Sequence, residues 1–156
     1  MTSKWPVREK GIHRIEIHVA GFCLKGDSRG PMTLLIGKRT STRRIFPDKW
    51  ECGGGQVHTG EGLPEAIQYH MKEEFDIDVD VLGPVLTYEI HSPDGLIPGL
   101  RFLCRMRDES QVAVANPDEF TECRWIAETE IDDYDLIPGL AEHAKRAIAI
   151  YRKLIA

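Results

Sequence analysis

The sequence predicts an α/β fold in which a mixed sheet packs with at least two helices. Strand and helix signals alternate along the chain without internal repeats. Apolar residues recur at every fourth position in the middle of the chain, at Leu63, Ile67, Met71 and Phe75, which is the spacing of one helix face. With 156 residues, of which 42% are hydrophobic and 29% charged, the chain is long enough for one well-buried core. We therefore expect a single domain over residues 1–156.

The first two strands are predicted in the N-terminal quarter of the chain. Ile15, Ile17 and Val19 alternate with polar residues, as expected for a strand with one buried face. A turn-like stretch at residues 25–31 then leads into a second predicted strand at residues 32–36.

The remaining elements follow the middle helix. Residues 79–90 and 100–106 are predicted as two strands, separated by a loop at residues 91–95 that is rich in turn formers. A short strand is predicted at residues 122–126. A C-terminal helix is predicted from Pro138, because proline is favoured at helix starts. The apolar side of this helix consists of Leu140, Ala144, Ala147, Ile148, Tyr151 and Ile155.

The segment at residues 53–77, in which a glycine-rich loop leads into the middle helix, carries the strongest functional signal. Helical steps of about 100° place Glu74 inside the apolar stripe, with His70 and Glu73 on its flank. A buried carboxylate is costly unless it is paired or bound to a metal, and Mg²⁺ prefers oxygen ligands. Glycines 53–55 lack a Cβ, so their backbone can approach a ligand closely. The segment therefore predicts a site for metal and phosphate.

Each part of this segment also has a simpler explanation. Three consecutive glycines usually form a flexible turn. Adjacent glutamates near a helix end usually face solvent, and a helix rotated by about 20° would let Glu74 reach water. A lone histidine such as His70 is more often a surface residue than a ligand. The combination of these features is what favours a site.

This spacing resembles the Nudix box. The matching positions are Gly55, Glu61, Met71, Glu73, Glu74 and Ile77. Three positions depart from the box: Tyr69 stands where the family has arginine, His70 where it has glutamate, and Asp76 where it has glycine. The likeness extends outside the box, through residues 34–55 upstream and residues 99–109 and 117–131 downstream.

The resemblance implies a Nudix-like α/β/α sandwich and a metal-dependent hydrolysis. The expected reaction cleaves the diphosphate bond of a nucleoside diphosphate linked to another moiety, with Mg²⁺ or Mn²⁺ as the cofactor. The implied metal ligands are Glu73, Glu74 and the Gly54 carbonyl. His70 would replace the missing glutamate, either as a ligand or as the catalytic base, and a pKa near 6.5 suits the base role. As a ligand, imidazole suits Zn²⁺ or Mn²⁺ better than Mg²⁺.

Two further groups of candidates lie outside the box. Many proteins of this kind carry a catalytic or metal-binding glutamate on a later acidic loop, where Glu119 is favoured over Asp118 and Glu122. A basic cluster precedes the glycine loop, and its guanidinium groups could hold phosphate oxygens through forked hydrogen bonds. We predict substrate-binding roles for Arg39, Arg43 and Arg44. Solvent-exposed loops without a functional role would explain both groups of charged residues equally well.

Composition restricts the partners and the compartment. A net charge of −5 argues against a nucleic-acid polymer as the main partner. The four cysteines are widely spaced, which favours a reduced, cytoplasmic setting over a zinc or redox motif. Residues 1–11 lack an apolar core of signal-peptide length, and no segment approaches the roughly 18 apolar residues that a membrane span needs. We expect a small diphosphate or nucleotide as partner, no membrane, and a homodimer, since many relatives pair.

Two functions remain open from the sequence. The first is a working hydrolase in which His70 compensates for the missing glutamate. The second is a Nudix-like module that binds a nucleotide or phosphorylated metabolite without cleaving it, because the changes at Tyr69 and His70 weaken the box.

Overall fold

The computed structural model describes residues 15–156, which form seven strands, two α-helices and one 3₁₀ helix. The strands are β1 (His18–Gly26), β2 (Met32–Arg39), β3 (Trp50–Glu51), β4 (Gly54–Gln56), β5 (Val79–Ser92), β6 (Gly95–Met106) and β7 (Phe120–Ala127). The α-helices are α1 (Leu63–Phe75) and α2 (Leu140–Ile155), and the 3₁₀ helix is Glu128–Asp133.

The sheet is mixed, as predicted. Its main path runs β3-β2-β1-β6-β5, with β4 paired to β1 and β7 paired to β2. Strands β1 and β6 are parallel, whereas all the other named pairs are antiparallel. Because β1 pairs with both β6 and β4, it places the short β4 strand, and the glycine loop with it, at the centre of the molecule.

The two helices cover opposite faces of the sheet, which confirms the α/β/α sandwich. Successive side chains of a strand point to opposite faces. Along β1, Phe22 and Leu24 pack into the cluster that contains the buried residues of α2, whereas Val19 and Cys23 pack into the cluster that contains those of α1. The sheet is therefore buried between two separate apolar layers.

Helix α1 has the predicted apolar stripe and also contains a buried acid. Ile67, Met71 and Phe75 are at most 1% exposed, and Glu74 within the same stripe is only 5% exposed. The helix ends at Asp76, which adopts the left-handed conformation with φ 55° and ψ 37°. Asp76 therefore takes the backbone geometry of the family's glycine, because aspartate tolerates this region better than most residues do.

Several predicted boundaries differ from the structure, and the largest difference is at β6, which begins at Gly95 and not at residue 100. Strand β1 begins at His18, and Ile15 is 66% exposed, so the predicted strand at residues 15–19 starts too early. Because helices cover both faces of the sheet, six consecutive residues of β1 are buried. The alternation of apolar and polar residues therefore does not locate this strand correctly. Helix α2 begins at Leu140, after Gly139 at φ 81°, two residues later than the predicted start at Pro138. The apolar side of α2 is buried as predicted, except that Ile155 is only partly buried.

Two further expectations concern cysteines and hydrophobic segments. Cys23 and Cys104 are free cysteines whose side chains are buried in the core like small apolar residues. They lie directly opposite each other in β1 and β6. Between residues 15 and 156, no helix combines the length and the apolar character that crossing a membrane requires. The expectation that residues 1–11 do not form a signal peptide concerns a segment outside the described residues.

Candidate functional site

A cleft of about 360 Å³ lies between the glycine loop, α1 and two loops that face them. This volume lies within the range of small-molecule sites. The cleft brings together six of the predicted site residues, Arg43, Gly54, His70, Glu73, Glu74 and Glu119, and two further positions of the box, Gly55 and Tyr69. It also includes three lining residues to which the sequence analysis gave no role: His18, Gln56 and His58.

The backbone of β4 fixes the cleft wall against α1. Gly21 N–H donates to the Gly53 carbonyl at 2.9 Å, so the alternation of an antiparallel ladder turns the polar groups of Gly54 and Gln56 away from β1. The Gly54 N–H accordingly donates to Glu74 Oε2 at 3.0 Å, and the Gln56 carbonyl accepts from His70 at 2.8 Å. The Gly54 carbonyl points to the same side.

The glycines at 53 and 54 are required by packing. None of residues 53–55 has a positive φ. A Cβ at Gly54 would lie 2.8 Å from Ala20 Cα, and one at Gly53 would lie 2.8 Å from the Phe75 ring. The glycines therefore let β4 approach both β1 and α1, which is a more specific role than the open ligand loop that the sequence predicts.

Glu74 is a buried carboxylate among other acids. Burial raises its pKa well above the usual range, and the nearby carboxylates of Glu51 and Glu119 raise it further. The hydrogen bond from Gly54 and the Arg43 charge oppose this shift only in part. A cation in the cleft would relieve the accumulated negative charge.

His70 is held with a defined proton position. Its Nε2 lies 2.8 Å from the Gln56 carbonyl oxygen, which can only accept, so Nε2 carries the hydrogen. In the neutral ring, Nδ1 then keeps its lone pair. The ring lies over Gly55, where any Cβ would overlap it. The ring therefore fills the space that a side chain at position 55 would need.

Tyr69 and Glu73 form the outer wall of the same helix. A hydrogen-bonding interaction with the Glu73 carboxylate raises the pKa of the Tyr69 hydroxyl. Tyr69 is half exposed and contacts His58 and His70 edge to face, with ring centroids 6.2 and 5.4 Å away. A phenol thus lies beside Glu73 where the family's arginine would lie, without contributing a positive charge.

The acidic loop is attached to the C-terminal end of α1. The last carbonyls of a helix lack intrahelical partners. Here Asn116 Nδ2 donates to the Glu73 carbonyl at 3.1 Å and Asn116 N–H to that of Glu74 at 2.9 Å, while Val114 N–H donates to that of Phe75 at 2.9 Å. This attachment carries Glu119 into the cleft, where it forms an ion pair with Arg43.

The three arginines predicted to bind substrate have different surroundings. Arg43 lines the cleft, whereas Arg39 and Arg44 do not. Arg39 is 8% exposed, pairs with Glu51 at 2.6 Å and donates to the carbonyls of Ile45 and Phe46. It holds the shape of the loop at residues 40–48. Arg44 is exposed to solvent.

The donor chemistry of the cleft fits a hard cation, because the carboxylates of Glu73, Glu74 and Glu119 line it together with the backbone of Gly54. Within residues 15–156, no three His, Cys, Asp or Glu side chains are grouped as a ready-made metal site. Mg²⁺ commonly binds through one or two carboxylates and completes its shell with water and substrate phosphates. Glu73, Glu74 and the Gly54 carbonyl would supply such a set.

Comparisons with known proteins agree with this architecture. The chain is 24% identical over 111 residues to the nucleoside triphosphatase NudI of Salmonella paratyphi B, an alignment that covers 65% of this chain and 78% of the relative. A Nudix-family hydrolase from Clostridium perfringens superposes with a TM-score of 0.68 at 14% identity, covering 86% of this chain and 97% of that one. An Ap4A hydrolase from C. elegans superposes with a TM-score of 0.71 at 12% identity, covering 89% and 99%.

The family profile gives the assignment. It is the profile of the NUDIX domain, and it matches residues 16–150, which include every strand and helix that lines the cleft. The chain therefore belongs to the Nudix family.

Proposed function

We propose that this protein is a metal-dependent hydrolase that cleaves the diphosphate bond of a nucleoside diphosphate linked to another moiety. The observation that carries the proposal is Glu74, which is 5% exposed, bound by the Gly54 N–H, and directed into the cleft beside Glu73. Keeping a carboxylate there is costly without a cation. The residues that would hold the cation are Glu73, Glu74 and the Gly54 carbonyl.

The bound cation would supply a Lewis acid that polarises a phosphoryl oxygen and lowers the pKa of the attacking water. The side chains of the cleft account for the other requirements. The Nε2 atom of His70 is fixed on Gln56, and its Nδ1, which has no hydrogen-bond partner among residues 15–156, would be the base that accepts a proton from the attacking water. Arg43 donates to phosphate oxygens once substrate competes with Glu119 for its guanidinium.

The named relatives suggest the substrates to test first. One is called a nucleoside triphosphatase and another an Ap4A hydrolase. Both names refer to nucleotides with a chain of phosphates. A panel should therefore begin with nucleoside triphosphates and dinucleoside polyphosphates, and continue to nucleoside diphosphate sugars.

The alternative is a module that binds such a ligand without cleaving it. It is favoured by Tyr69 and His70, which bring no carboxylate and no guanidinium to positions where the family has glutamate and arginine. One fewer anionic group weakens the binding of more than one metal ion, while the cleft persists.

The deciding experiment measures phosphate and nucleotide release from the panel with Mg²⁺, Mn²⁺ or Zn²⁺. Wild type is compared with Glu74→Gln and with Glu65→Gln, which makes the same chemical change at an exposed position of the same helix. We expect metal-dependent turnover that falls more than about a hundredfold in Glu74→Gln and stays unchanged in Glu65→Gln. Full activity in Glu74→Gln would refute the metal role. Ligand binding without turnover under every metal would establish the alternative.

A further inference from the structure

His18 lies on the β1 side of the cleft and is not part of the Nudix box. It faces Gln56 across the β1–β4 ladder, so it is close to the place where His70 is fixed. Its Nδ1 lies 2.6 Å from the Tyr88 hydroxyl oxygen, and the two rings meet edge to face with centroids 6.0 Å apart. One ring nitrogen is therefore taken by the protein, which leaves Nε2 for a ligand.

Tyr88 is held from both sides. One side of its ring covers Gly99, where a Cβ would overlap the phenol. The Arg101 guanidinium carbon lies 4.3 Å from the Tyr88 ring centroid, a cation–π contact. Arg101 is itself 6% exposed, and its Nε donates to His143 Nδ1 at 3.2 Å. Among residues 15–156 it has no ion-pair partner.

The hydrogen-bond directions in this chain follow from its chemistry. Burial raises the pKa of Tyr88, so the hydroxyl stays protonated at neutral pH. No other acceptor for that hydroxyl occurs among the described residues, so it donates to His18 Nδ1. Burial also lowers the pKa of His18 to about 4, so the ring is neutral. A neutral imidazole that accepts at Nδ1 carries its hydrogen on Nε2.

We propose that His18 is a substrate-binding residue of this cleft, which donates a hydrogen bond from Nε2 to a phosphoryl oxygen of the bound diphosphate. Tyr88 and Arg101 are positioning residues that set its proton and its orientation. This inference rests on the diphosphate ligand of the proposed function, but it does not require that the ligand be cleaved. His18 supplies a donor without a positive charge, so it does not repel a divalent cation. His70 presents an acceptor in the same cleft.

The proton position can be measured without any ligand. Two-bond ¹H–¹⁵N spectra of protein labelled at its six histidines report the tautomer of each ring. We expect His18 and His70 both in the Nε2–H form. Tyr88→Phe should shift the tautomer ratio of His18 and leave that of His70 unchanged. A His18 ring that carries its hydrogen on Nδ1 in the wild type would overturn the proposal.

Binding tests the role itself. The probe is methylenediphosphonate with Mg²⁺, measured by calorimetry, because its P–C–P bridge cannot be hydrolysed. Wild type is compared with His18→Leu, His18→Gln and the exposed control His91→Leu. Since a hydrogen bond to a charged group is lost, we expect about ten- to a hundredfold weaker binding in His18→Leu. His18→Gln, which retains an N–H donor, should recover most of the affinity, and His91→Leu should match wild type.

The outcomes separate the two proposals. Equal affinity in wild type and His18→Leu would overturn the role of His18, even if the enzyme turns over nucleotides. The same holds if the diphosphonate causes no ¹⁵N shift at His18 in the wild type. Conversely, a His18-dependent affinity without turnover of any substrate would overturn the hydrolase and leave the binding role of His18 in place.

Discussion

The two walls of the cleft are built in different ways. The α1 wall holds Glu74 and His70 through hydrogen bonds to the backbone of β4, a strand that is itself paired to the central β1. The opposite wall consists of loops, and its two charged groups, Arg43 and Glu119, contact each other and are about one-third exposed. A rigid wall suits groups that must be placed accurately for chemistry, whereas a loop wall suits groups that adapt to a substrate. We therefore propose that α1 supplies the chemistry and that the loops supply the substrate contacts that must adapt.

The largest expected effect comes from the rigid wall. His70→Ala should lower kcat by about a hundredfold to ten-thousandfold, because the base is lost. The change should leave KM nearly unaltered. Steady-state kinetics on the substrate found in the panel measures both constants. His91→Ala, at an exposed position, serves as the control. A kcat within threefold of the wild-type value would contradict the role of His70 as the base, and the chemistry could then no longer be assigned to the α1 wall through this residue.

Arg39 tests whether the loop wall depends on a buried scaffold. In Arg39→Met, the largely buried carboxyl group of Glu51 loses its cation and the carbonyls of Ile45 and Phe46 lose their donor. We expect the free energy of unfolding to fall by about 3–5 kcal/mol, as measured by urea denaturation. The double variant Arg39→Met, Glu51→Gln should recover much of that loss, since no charge stays buried. A single variant as stable as wild type would contradict the scaffold role.

His18, on the β1 side of the cleft, should make the stability of the protein depend on pH. The folded state holds the pKa of His18 at about 4, below the usual value of 6.5, so between these values the unfolded chain binds more protons. The contribution of His18 to the free energy of unfolding is therefore fully present above pH 6.5. It is lost as the pH falls towards 4, by up to about 3 kcal/mol. Denaturation of wild type and His18→Leu across this range measures it. An identical pH dependence in the two proteins would contradict the shift.

The smallest expected effect comes from the loop wall. Arg43→Met should raise KM about tenfold by removing a charged hydrogen bond to phosphate, and should change kcat less. Arg44→Met makes the same change at an exposed neighbour outside the cleft and should behave as wild type. If both variants raise KM equally, the effect is one of general charge, and the cleft does not distinguish Arg43 from its neighbour.

The sequence predicts those features whose causes are local. The apolar stripe and the place of Glu74 within it depend on spacing within one helix, so periodicity was sufficient to predict them. The helix end at Asp76 follows instead from the resemblance to the Nudix box. Arg39 and Arg43 look alike in sequence, and what separates them is their partners, Glu51 and Glu119, which only the folded chain brings near.

The histidine on β1 was missed for the same reason. His18 reads as the polar position of an alternating strand, and nothing nearby in the sequence distinguishes it. Its partner Tyr88 lies 70 residues away, and Gln56 faces it only through strand pairing. Asn116 likewise looks like an ordinary loop residue until the end of α1 is seen against it.

The attachment of that loop to α1 also limits how the chain tolerates changes in length. Between β6 and β7, residues 107–110 are exposed. Arg107 is hydrogen-bonded to residues 78–80, whereas residues 108–110 bond, among the described residues, only within their own turn, so insertions or deletions after Arg107 should disturb little else. Val114 and Asn116 are instead bonded to the carbonyls of the helix turn that bears Glu73 and Glu74. A single added residue at that point would shift the register of these bonds, so relatives with longer or shorter connections should differ at residues 108–110 and keep the later part constant.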